Sequence, residues 1–247
     1  MENPAYIALS RQMVLSRQLD IIANNLANAN TASYKREDLA FVEYLVKPDA
    51  AGNPTFVRAD GKVAMVQDLG MIRDTGQGPM TETGAPLDMA ISGEGYFVVQ
   101  TPEGPRYTRL GRFQIDADGR LVTGEGHVVQ GTGGPIFVPP DDGEVKVARD
   151  GTISTAGGPI GRLEVVRFED DQNLTHAGSG LYIAKDLPQP ATDVEIIQGM
   201  VEESNVQPVL ELTRMIAVLR NFQAAQKMID AQDDMQRRVI NTVVAAA

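Results

Sequence analysis

Only two imidazoles, His127 and His176, stand in this chain, 49 residues apart, and neither has a nucleophile motif beside it. A Ser/His/Asp site needs three side chains within hydrogen-bond reach of one another. Nothing in the spacing selects such partners, so ordinary structural histidines are expected. Three carboxylate clusters could offer oxygens to calcium: Asp116 with Asp118, Asp141-Asp142, and Glu169-Asp170-Asp171. None has the ligand spacing and closing glutamate of an EF-hand loop, so solvated turns are expected. Gly93-Glu94-Gly95 has the opening spacing of a dinucleotide fingerprint, whose glycines bring a phosphate to a helix N-terminus. Here Tyr96-Phe97-Val98-Val99 follows, a strand pattern, which predicts a hairpin turn instead. Cysteine is absent, which removes disulfides, thiolate nucleophiles and cysteine-based metal sites, and suits an oxidising compartment. No catalytic residue, cofactor site or metal site is assigned, and the chain reads as a non-enzyme.

The balance of the chain narrows its partners. With 43% hydrophobic and 22% charged residues over 247 positions, it has the composition of a folded globular protein. A net charge of −11, without a basic patch, disfavours nucleic acid. No apolar run approaches the roughly 20 residues of a membrane span. Met1-Glu2-Asn3-Pro4 lacks the basic and apolar regions of a secretory signal. A cytosolic protein, or one exported without a cleaved signal, is expected.

Glycine divides the chain into two kinds of structure. The first of 24 glycines is Gly52 and the last Gly199. Because glycine costs about 1 kcal/mol in a helix interior, both glycine-free ends are predicted to be helical. Ala8, Leu15, Leu19, Ile22, Leu26 and Ala29 form an apolar stripe at steps of three and four, and Pro4 suits a first turn. A longer stripe begins Leu212, Met215, Leu219, Phe222 and continues through Gln226, Ile229, Asp233, Gln236, Ile240 and Val243. Ser204-Asn205-Val206-Gln207 reads as a capping box before Pro208. A one-sided helix from Pro208 to Thr242, about 50 Å long at 1.5 Å per residue, needs another helix to cover it. The N-terminal helix is the natural partner.

Short alternating runs fill the middle. Tyr96–Val99, Arg106–Arg109, Arg112–Ile115 and Leu121–Thr123, separated by Pro102-Glu103-Gly104, Gly111 and Asp116-Ala117-Asp118-Gly119, predict a meander of hairpins. Further strands are expected at Val145–Ala148, Thr152–Ser154, Leu163–Phe168 and Leu181–Ala184, with a turn at Arg149-Asp150-Gly151. Phe41–Val46 fits either a helix or a strand. The resulting class is α+β: an assembly helix in 1–36, an extended, irregular connector over 37–80, a mainly antiparallel β domain over 81–198 and a second assembly helix in 199–247. The helices would form a coiled-coil-like layer. Residues 1–36 carry four basic and two acidic side chains and residues 206–247 five and four. The acidity therefore sits in the middle, and the ends can approach copies of themselves with little repulsion.

Four asparagines, Asn24, Asn25, Asn28 and Asn30, crowd the end of the first helix although asparagine is a weak helix former. They fit a fraying terminus or an amide seam that fixes the register of packed helices. The apolar stripes fit either an internal two-helix core or an intermolecular interface, and one pairing would still leave much stripe exposed.

Three blocks together resemble the bacterial flagellar axial proteins of the rod and hook. The first is Asp20-Ile21-Ile22-Ala23-Asn24-Asn25-Leu26-Ala27-Asn28-Ala29-Asn30-Thr31-Ala32-Ser33-Tyr34-Lys35-Arg36. The second runs from Thr83-Gly84-Ala85-Pro86-Leu87-Asp88 through Gly93-Glu94-Gly95-Tyr96-Phe97, Tyr107-Thr108-Arg109 and Gly111-Arg112-Phe113 to Asp118-Gly119. The third joins Glu203-Ser204-Asn205-Val206 with Met215-Ile216, Arg220-Asn221-Phe222 and Lys227-Met228-Ile229. Leu9-Ser10-Arg11-Gln12, Glu43-Tyr44-Leu45 and the stretch from Arg73-Asp74 to Gln77-Gly78 look most like proximal-rod members, with distal-rod members next. Ala32-Ser33 departs from the family's usual glycine-containing turn, and Gln223 stands where glutamate is common.

The resemblance implies a structural subunit exported through the flagellar type III apparatus without a cleaved signal. In the periplasm it would pack with other rod and hook-family axial proteins, and with copies of itself, into the driveshaft of the basal body. It implies an inner helical layer that includes Leu15, Leu19, Ile22 and Leu26 from the first helix, with Asn24, Asn25 and Asn28 setting its register. Leu212, Met215, Leu219, Phe222 and Ile229 would join it from the last helix. Alternatives are a distal-rod protein, a cell-envelope carbohydrate-binding or enzymatic β domain with helical extensions, and a soluble adaptor of the same architecture.

Overall fold

The computed structural model describes residues 3–46, 63–139 and 143–245. Asp141-Asp142 lies outside these residues, as do the side chains of Asp233, Gln236, Ile240 and Val243. In chain order the elements begin with α1 (Asn3–Ala27), β1 (Glu37–Val46), β2 (Val63–Arg73), β3 (Met80–Glu82), β4 (Met89–Ser92), β5 (Tyr96–Thr101) and β6 (Gly104–Thr108). Next come β7 (Phe113–Ile115), β8 (Leu121–Thr123), β9 (Val128–Gly131), β10 (Gly134–Pro135), β11 (Lys146–Val147), β12 (Thr152–Thr155) and β13 (Gly158–Arg162). The last are β14 (Val165–Arg167), β15 (Thr175–Gly178), β16 (Leu181–Ile183), β17 (Gln189–Pro190), β18 (Glu195–Gln198), β19 (Met200–Glu202) and α2 (Pro208–Ala245). The class is α+β, with two helices and a mainly antiparallel β domain.

The chain divides into two compact units. The first takes Met1–Ala27, Glu37–Asp74 and Gln207–Ala247. Its helices run antiparallel: Gln12 donates to Gln226 at 2.6 Å, while Arg214 near the start of α2 reaches Asp38 in β1, the strand that follows α1. Leu15 and Ile22 pack with Val218 and Ala225, flanked by Leu19, Met215 and Phe222. The unit also holds an antiparallel pair, Glu37↔Arg73 to Val46↔Val63, with a register shift at Ala40/Phe41. Phe41–Val46 is thus strand, and the stretch expected to be extended and irregular over 37–80 holds β1, β2 and the first residue of β3. β1 and β2 pair with each other and β3 pairs with β19, and such pairings are set by cross-strand contacts that local periodicity does not reveal.

The second unit takes Asn28–Arg36 and Thr75–Val206. Its main sheet runs β15-β16-β6-β5-β9-β8-β7, with β14 also on β5 and β10 on β9. Three smaller sheets, β11-β12-β13, β18-β4 and β19-β3, complete it, and every pair is antiparallel. The expected hairpins form, but the simple meander does not, because β9 sits between β5 and β8. The Tyr96–Val99 run is apolar without alternation because β5 is central and covered on both faces. Phe97 and Val99 join Met89, Leu121 and Ile153 in one core, and Tyr96 and Val98 join Tyr107, Phe168 and Tyr182 in another. Gly93-Glu94-Gly95 is not a hairpin turn: it carries the chain from β4, paired with β18, into β5.

Gly111 marks a second tight place. A Cβ there would lie 1.6 Å from the Met89 carbonyl oxygen, and the two backbones are held at this close approach by the Met89 N–H, which donates to Gly111 O at 2.9 Å.

Candidate assembly interface

The faces of α2 explain which residues pack inside the chain. Met215, Val218, Phe222, Ala225 and Ile229 are buried or half-buried at alternating steps of three and four, the spacing of a helix that keeps one seam against a partner. The seam starts at Glu211, which is buried, pairs with Arg214 at 3.1 Å and adds a carboxylate to the first turn of the helix. Pro208 is the first helical residue, as its lack of an N–H allows. The cap differs from the expected box. Gln207 O accepts from Glu211 N–H, and Ser204 Oγ accepts from Val206 N–H, two residues before the helix starts.

Leu15 and Ile22 are buried, and Leu19 and Leu26 are half-buried, on α1. Leu212 and Leu219, included in the sequence stripe, are instead 46% and 43% exposed. They belong to a neighbouring column of α2, together with Val209 and Ile216. Val218 and Ala225 take their place in the seam. The sequence reading missed both because Ala225 and Glu211 dilute the apolar signal of the true column.

The asparagines do different work from one another. Asn25 is buried, and its amide spans the backbone of Glu37: Nδ2 donates to Glu37 O at 2.7 Å and Oδ1 accepts from Glu37 N–H at 3.0 Å. Its hydrogen bonds join the end of α1 to the start of β1 within the chain. Asn28 is half-buried and accepts from Thr31 through both its backbone and its side-chain oxygen, closing the turn after the helix. Asn24 lies on the exposed face of α1.

Within the second unit, a buried ionic cluster joins the first two sequence blocks to β19, the strand that leads into the third. Glu202, 1% exposed, accepts from Lys35 Nζ at 2.5 Å and Gly78 N–H at 2.9 Å through Oε1, and from Arg109 Nε at 2.7 Å through Oε2. Lys35 also donates to Gly76 O, and the Arg109 guanidinium donates to the carbonyls of Ile91, Gly93 and Gly95. Gly93-Glu94-Gly95 therefore serves as a carbonyl cradle for a cation. Burial pushes the Glu202 carboxyl up, and the Arg109 and Lys35 charges outweigh it, holding the group below the usual carboxylate range.

Ser33 supports the cluster from a backbone position few residues adopt, φ +58°. This is where the family's glycine turn would be unstrained. Serine compensates by donating from Oγ to Arg109 O at 2.9 Å, while its N–H donates to Glu202 O. Asn205 completes the link, accepting from Arg36 N–H and donating to Gly76 O. The segments 28–36 and 199–206, which follow α1 and precede α2 in the chain, lie side by side. Sequence reasoning missed Glu202 as a partner of Lys35 and Arg109; three charged residues inside otherwise apolar strands and signature blocks were the available signal.

The described histidines and carboxylate clusters make structural contacts. Asp116 Oδ1 accepts from the N–H groups of Asp118 and Arg120, and the Arg120 side chain bridges both carboxylates. Asp170 caps the short 3-10 turn Asp171–Asn173, and Asp171 accepts from the Tyr96 hydroxyl at 3.0 Å. His176 Nδ1 accepts from Gly178 N–H, and its ring packs edge-on to Tyr182. His127 is half-buried beside β8, its N–H on Thr123 Oγ1. Among the described residues no cluster of histidine and carboxylates is arranged to hold a metal, and no helix is long and apolar enough to cross a membrane.

Three family models match in chain order. Residues 6–35 match the flagella basal body rod protein model, residues 90–155 the flagellar hook protein FlgE/F/G D1 domain, and residues 197–242 the flagellar basal body rod FlgEFG protein C-terminal model. The flagellar basal-body rod protein FlgF of Caulobacter vibrioides is 42% identical over 243 residues, covering 97% of each chain. FlgF of Mesorhizobium japonicum is 38% identical, covering 90% of each, and the rod protein FlgG of Bacillus subtilis is 32% identical, covering 96% of this chain and 97% of its own. The rival readings as an envelope carbohydrate-binding or enzymatic domain find no support in these relatives. With its glycine-free paired helices, its signature blocks gathered around one buried ionic cluster and relatives matched over nearly their whole length, the chain belongs to the flagellar basal-body rod protein family, most like FlgF, as a structural subunit of the rod.

Proposed function

We propose that the α1–α2 pair is the element through which this subunit packs, in a layer of helices, with other rod and hook-family axial proteins and with copies of itself. In this reading the chain reaches the periplasm through the flagellar type III export apparatus without a cleaved signal, occupies the proximal rod, and passes torque from motor to hook through its helical contacts. One observation carries the proposal. After α1 and α2 have covered each other, Leu9, Met13, Val209, Leu212, Ile216 and Leu219 still face water. These apolar side chains lie on outward faces of the two helices, where a further helix can cover them. Leu15, Ile22, Met215, Phe222 and Ile229 build the pair internally, and Leu212 and Leu219 face the neighbours.

Replacing Leu212 and Leu219 together by Asp tests it. Burial of each leucine in an assembly is worth about 1.5–3 kcal/mol, and both positions are exposed in the free chain, so the subunit folds but is excluded from purified basal bodies. Normal incorporation and motility of the Leu212→Asp/Leu219→Asp variant would overturn the proposal.

A further inference from the structure

The chain passes between its two units at four places: Ala27/Asn28, Arg36/Glu37, Asp74/Thr75 and Val206/Gln207. Any force that one unit exerts on the other along the chain enters the second unit at these points. Asn205 stands one residue before the last of them and is bonded to the segments that make two others. Its Oδ1 accepts from Arg36 N–H at 2.7 Å, its Nδ2 donates to Gly76 O at 3.0 Å, and its backbone N–H donates to Tyr34 O at 3.3 Å. The Gly76 carbonyl also accepts from Lys35 Nζ at 2.8 Å, which fills both of its lone pairs. Further into the unit the same three segments stay joined. Ser33 N–H donates to Glu202 O, Gly78 N–H to Glu202 Oε1 and Glu203 N–H to Pro79 O, at 2.8 to 2.9 Å. A Cβ on Gly78 would lie 2.1 Å from Glu203 O, so backbone meets backbone there. The remaining passage, at Asn28, is drawn in by its own turn, in which Thr31 N–H donates to Asn28 O and Tyr34 N–H to Thr31 O.

Units of one chain move relative to each other by default, and a hinge absorbs that motion as changes of φ and ψ at a few residues. Next to three of the passages, on the side of the second unit, the backbone groups are instead committed to one another: Arg36 N–H and Tyr34 O to Asn205, and Gly76 O to Asn205 and Lys35. We propose that Asn205, with Lys35 and the Gly76 carbonyl, is a mechanical tie that makes the passages take load together. Bonds loaded side by side share a force, whereas bonds loaded in turn yield at the strength of the weakest. A subunit turned through its helices therefore carries its β domain round with it and does not lose one passage after another. Asn205 and Lys35 are positioning residues in this role, which is distinct from the folding stability that the Glu202 ion pairs supply.

This inference rests on the proposed passage of torque through the subunit, and its test separates the two. Asn205→Ala, Lys35→Met and Val129→Ala are each made as the only copy in cells. Val129 is buried in the core of the same unit, apart from the tie, so its truncation weakens the unit and leaves the tie whole. The subunit is quantified in purified basal bodies, and flagella per cell are counted before and after rotation in media of rising viscosity. Asn205→Ala and Lys35→Met are expected to enter basal bodies in wild-type amounts and to lose flagella at high viscosity about tenfold more often than wild type, since breakage under force follows a rate. Val129→Ala is expected to hold like wild type. Equal retention in Asn205→Ala and wild type would overturn the inference, and so would equal loss from Val129→Ala, which would make lost stability the cause. Asn205→Ala leaves Lys35, Arg109 and Glu202 paired, so it decides the matter should Lys35→Met not be incorporated. Exclusion of Asn205→Ala itself, while Val129→Ala enters, would assign Asn205 to assembly and also overturn the inference. Cells that lack the chain and still keep their flagella under load would instead sink the torque reading itself.

Discussion

Replacement of Glu202 by Gln removes the charge that two buried cations share and nearly preserves shape. In the native protein Glu202 serves three donors, Lys35 Nζ, Arg109 Nε and Gly78 N–H, at 2.5 to 2.9 Å. Lys35 and Arg109 are 3% and 5% exposed, so neither can turn to water without opening the unit. Both retain carbonyl acceptors, at Gly76 for Lys35 and at Ile91, Gly93 and Gly95 for Arg109. Those acceptors soften the loss but supply no countercharge. Breaking a buried ion pair from one side costs about 3–5 kcal/mol, a large part of the 5–15 kcal/mol that holds a typical domain folded.

Lys35→Met should cost less, because it takes a stranded cation away and leaves Glu202 paired with Arg109. The double variant should then be more stable than the sum of the singles by about 1–3 kcal/mol. Urea unfolding followed by tyrosine fluorescence reports on this unit, since tryptophan is absent and Tyr96, Tyr107 and Tyr182 lie buried in its core. With a slope of about 2 kcal/mol/M, the expected loss moves the midpoint down by roughly 2 M. A shift under about 0.3 M for Glu202→Gln, or strict additivity with Lys35→Met, would refute the reasoning that this carboxylate anchors the unit.

The same group sets a pH dependence. Its folded pKa is depressed, so its contribution is complete above the ordinary glutamate value of about 4.3 and is lost as pH falls through the lower folded value. Urea midpoints from pH 7 to pH 3 should therefore fall more steeply in the wild-type protein than in Glu202→Gln; parallel profiles would contradict this. Gly111→Ala would push a Cβ to 1.6 Å from Met89 O and should cost about 3 kcal/mol or more, whereas Gly124→Ala meets nothing within 4 Å and should leave the midpoint unchanged or slightly raised. Asn25→Ala strands the Glu37 N–H and C=O, with an expected loss of about 2–4 kcal/mol. Faster hydrogen exchange at the Glu37 amide is the direct readout, and an unchanged rate would argue against that role.

What could be read in the sequence follows the range of the interactions involved. Both helices were legible because glycine exclusion and a three-four stripe are local signals, and Leu121–Thr123 was located to the residue because turn chemistry bounds it. The pairing of β1 with β2 was not, since neither strand carries a distinctive alternation. Of the stripe read on α2, Met215, Phe222 and Ile229 lie in the seam against α1, whereas Leu212 and Leu219 are exposed, and the buried Glu211, Val218 and Ala225 were not read because a charge and a small side chain carry little apolar signal. Asn25 was recognised as unusual, but its partner is a backbone group at Glu37, which no side-chain pattern announces. The ionic cluster was hidden for a further reason: a charged residue in sequence signals surface, and only the folded arrangement shows that Lys35, Arg109 and Glu202 neutralise one another.

The link between Lys35 and Glu202 closes a span of 167 residues. A chain that appears from one end first can build β5 to β9 from neighbours, but it cannot settle Lys35 or the Arg109 Nε–H until position 202 arrives. Contacts of such separation form late and slowly. A product broken off before Glu202 keeps two buried cations without their anion, and is expected to be more open to proteases than the full chain. A resistant core obtained by trimming the ends should for that reason retain residues 28–36 and 199–206, and should not shrink to 81–198.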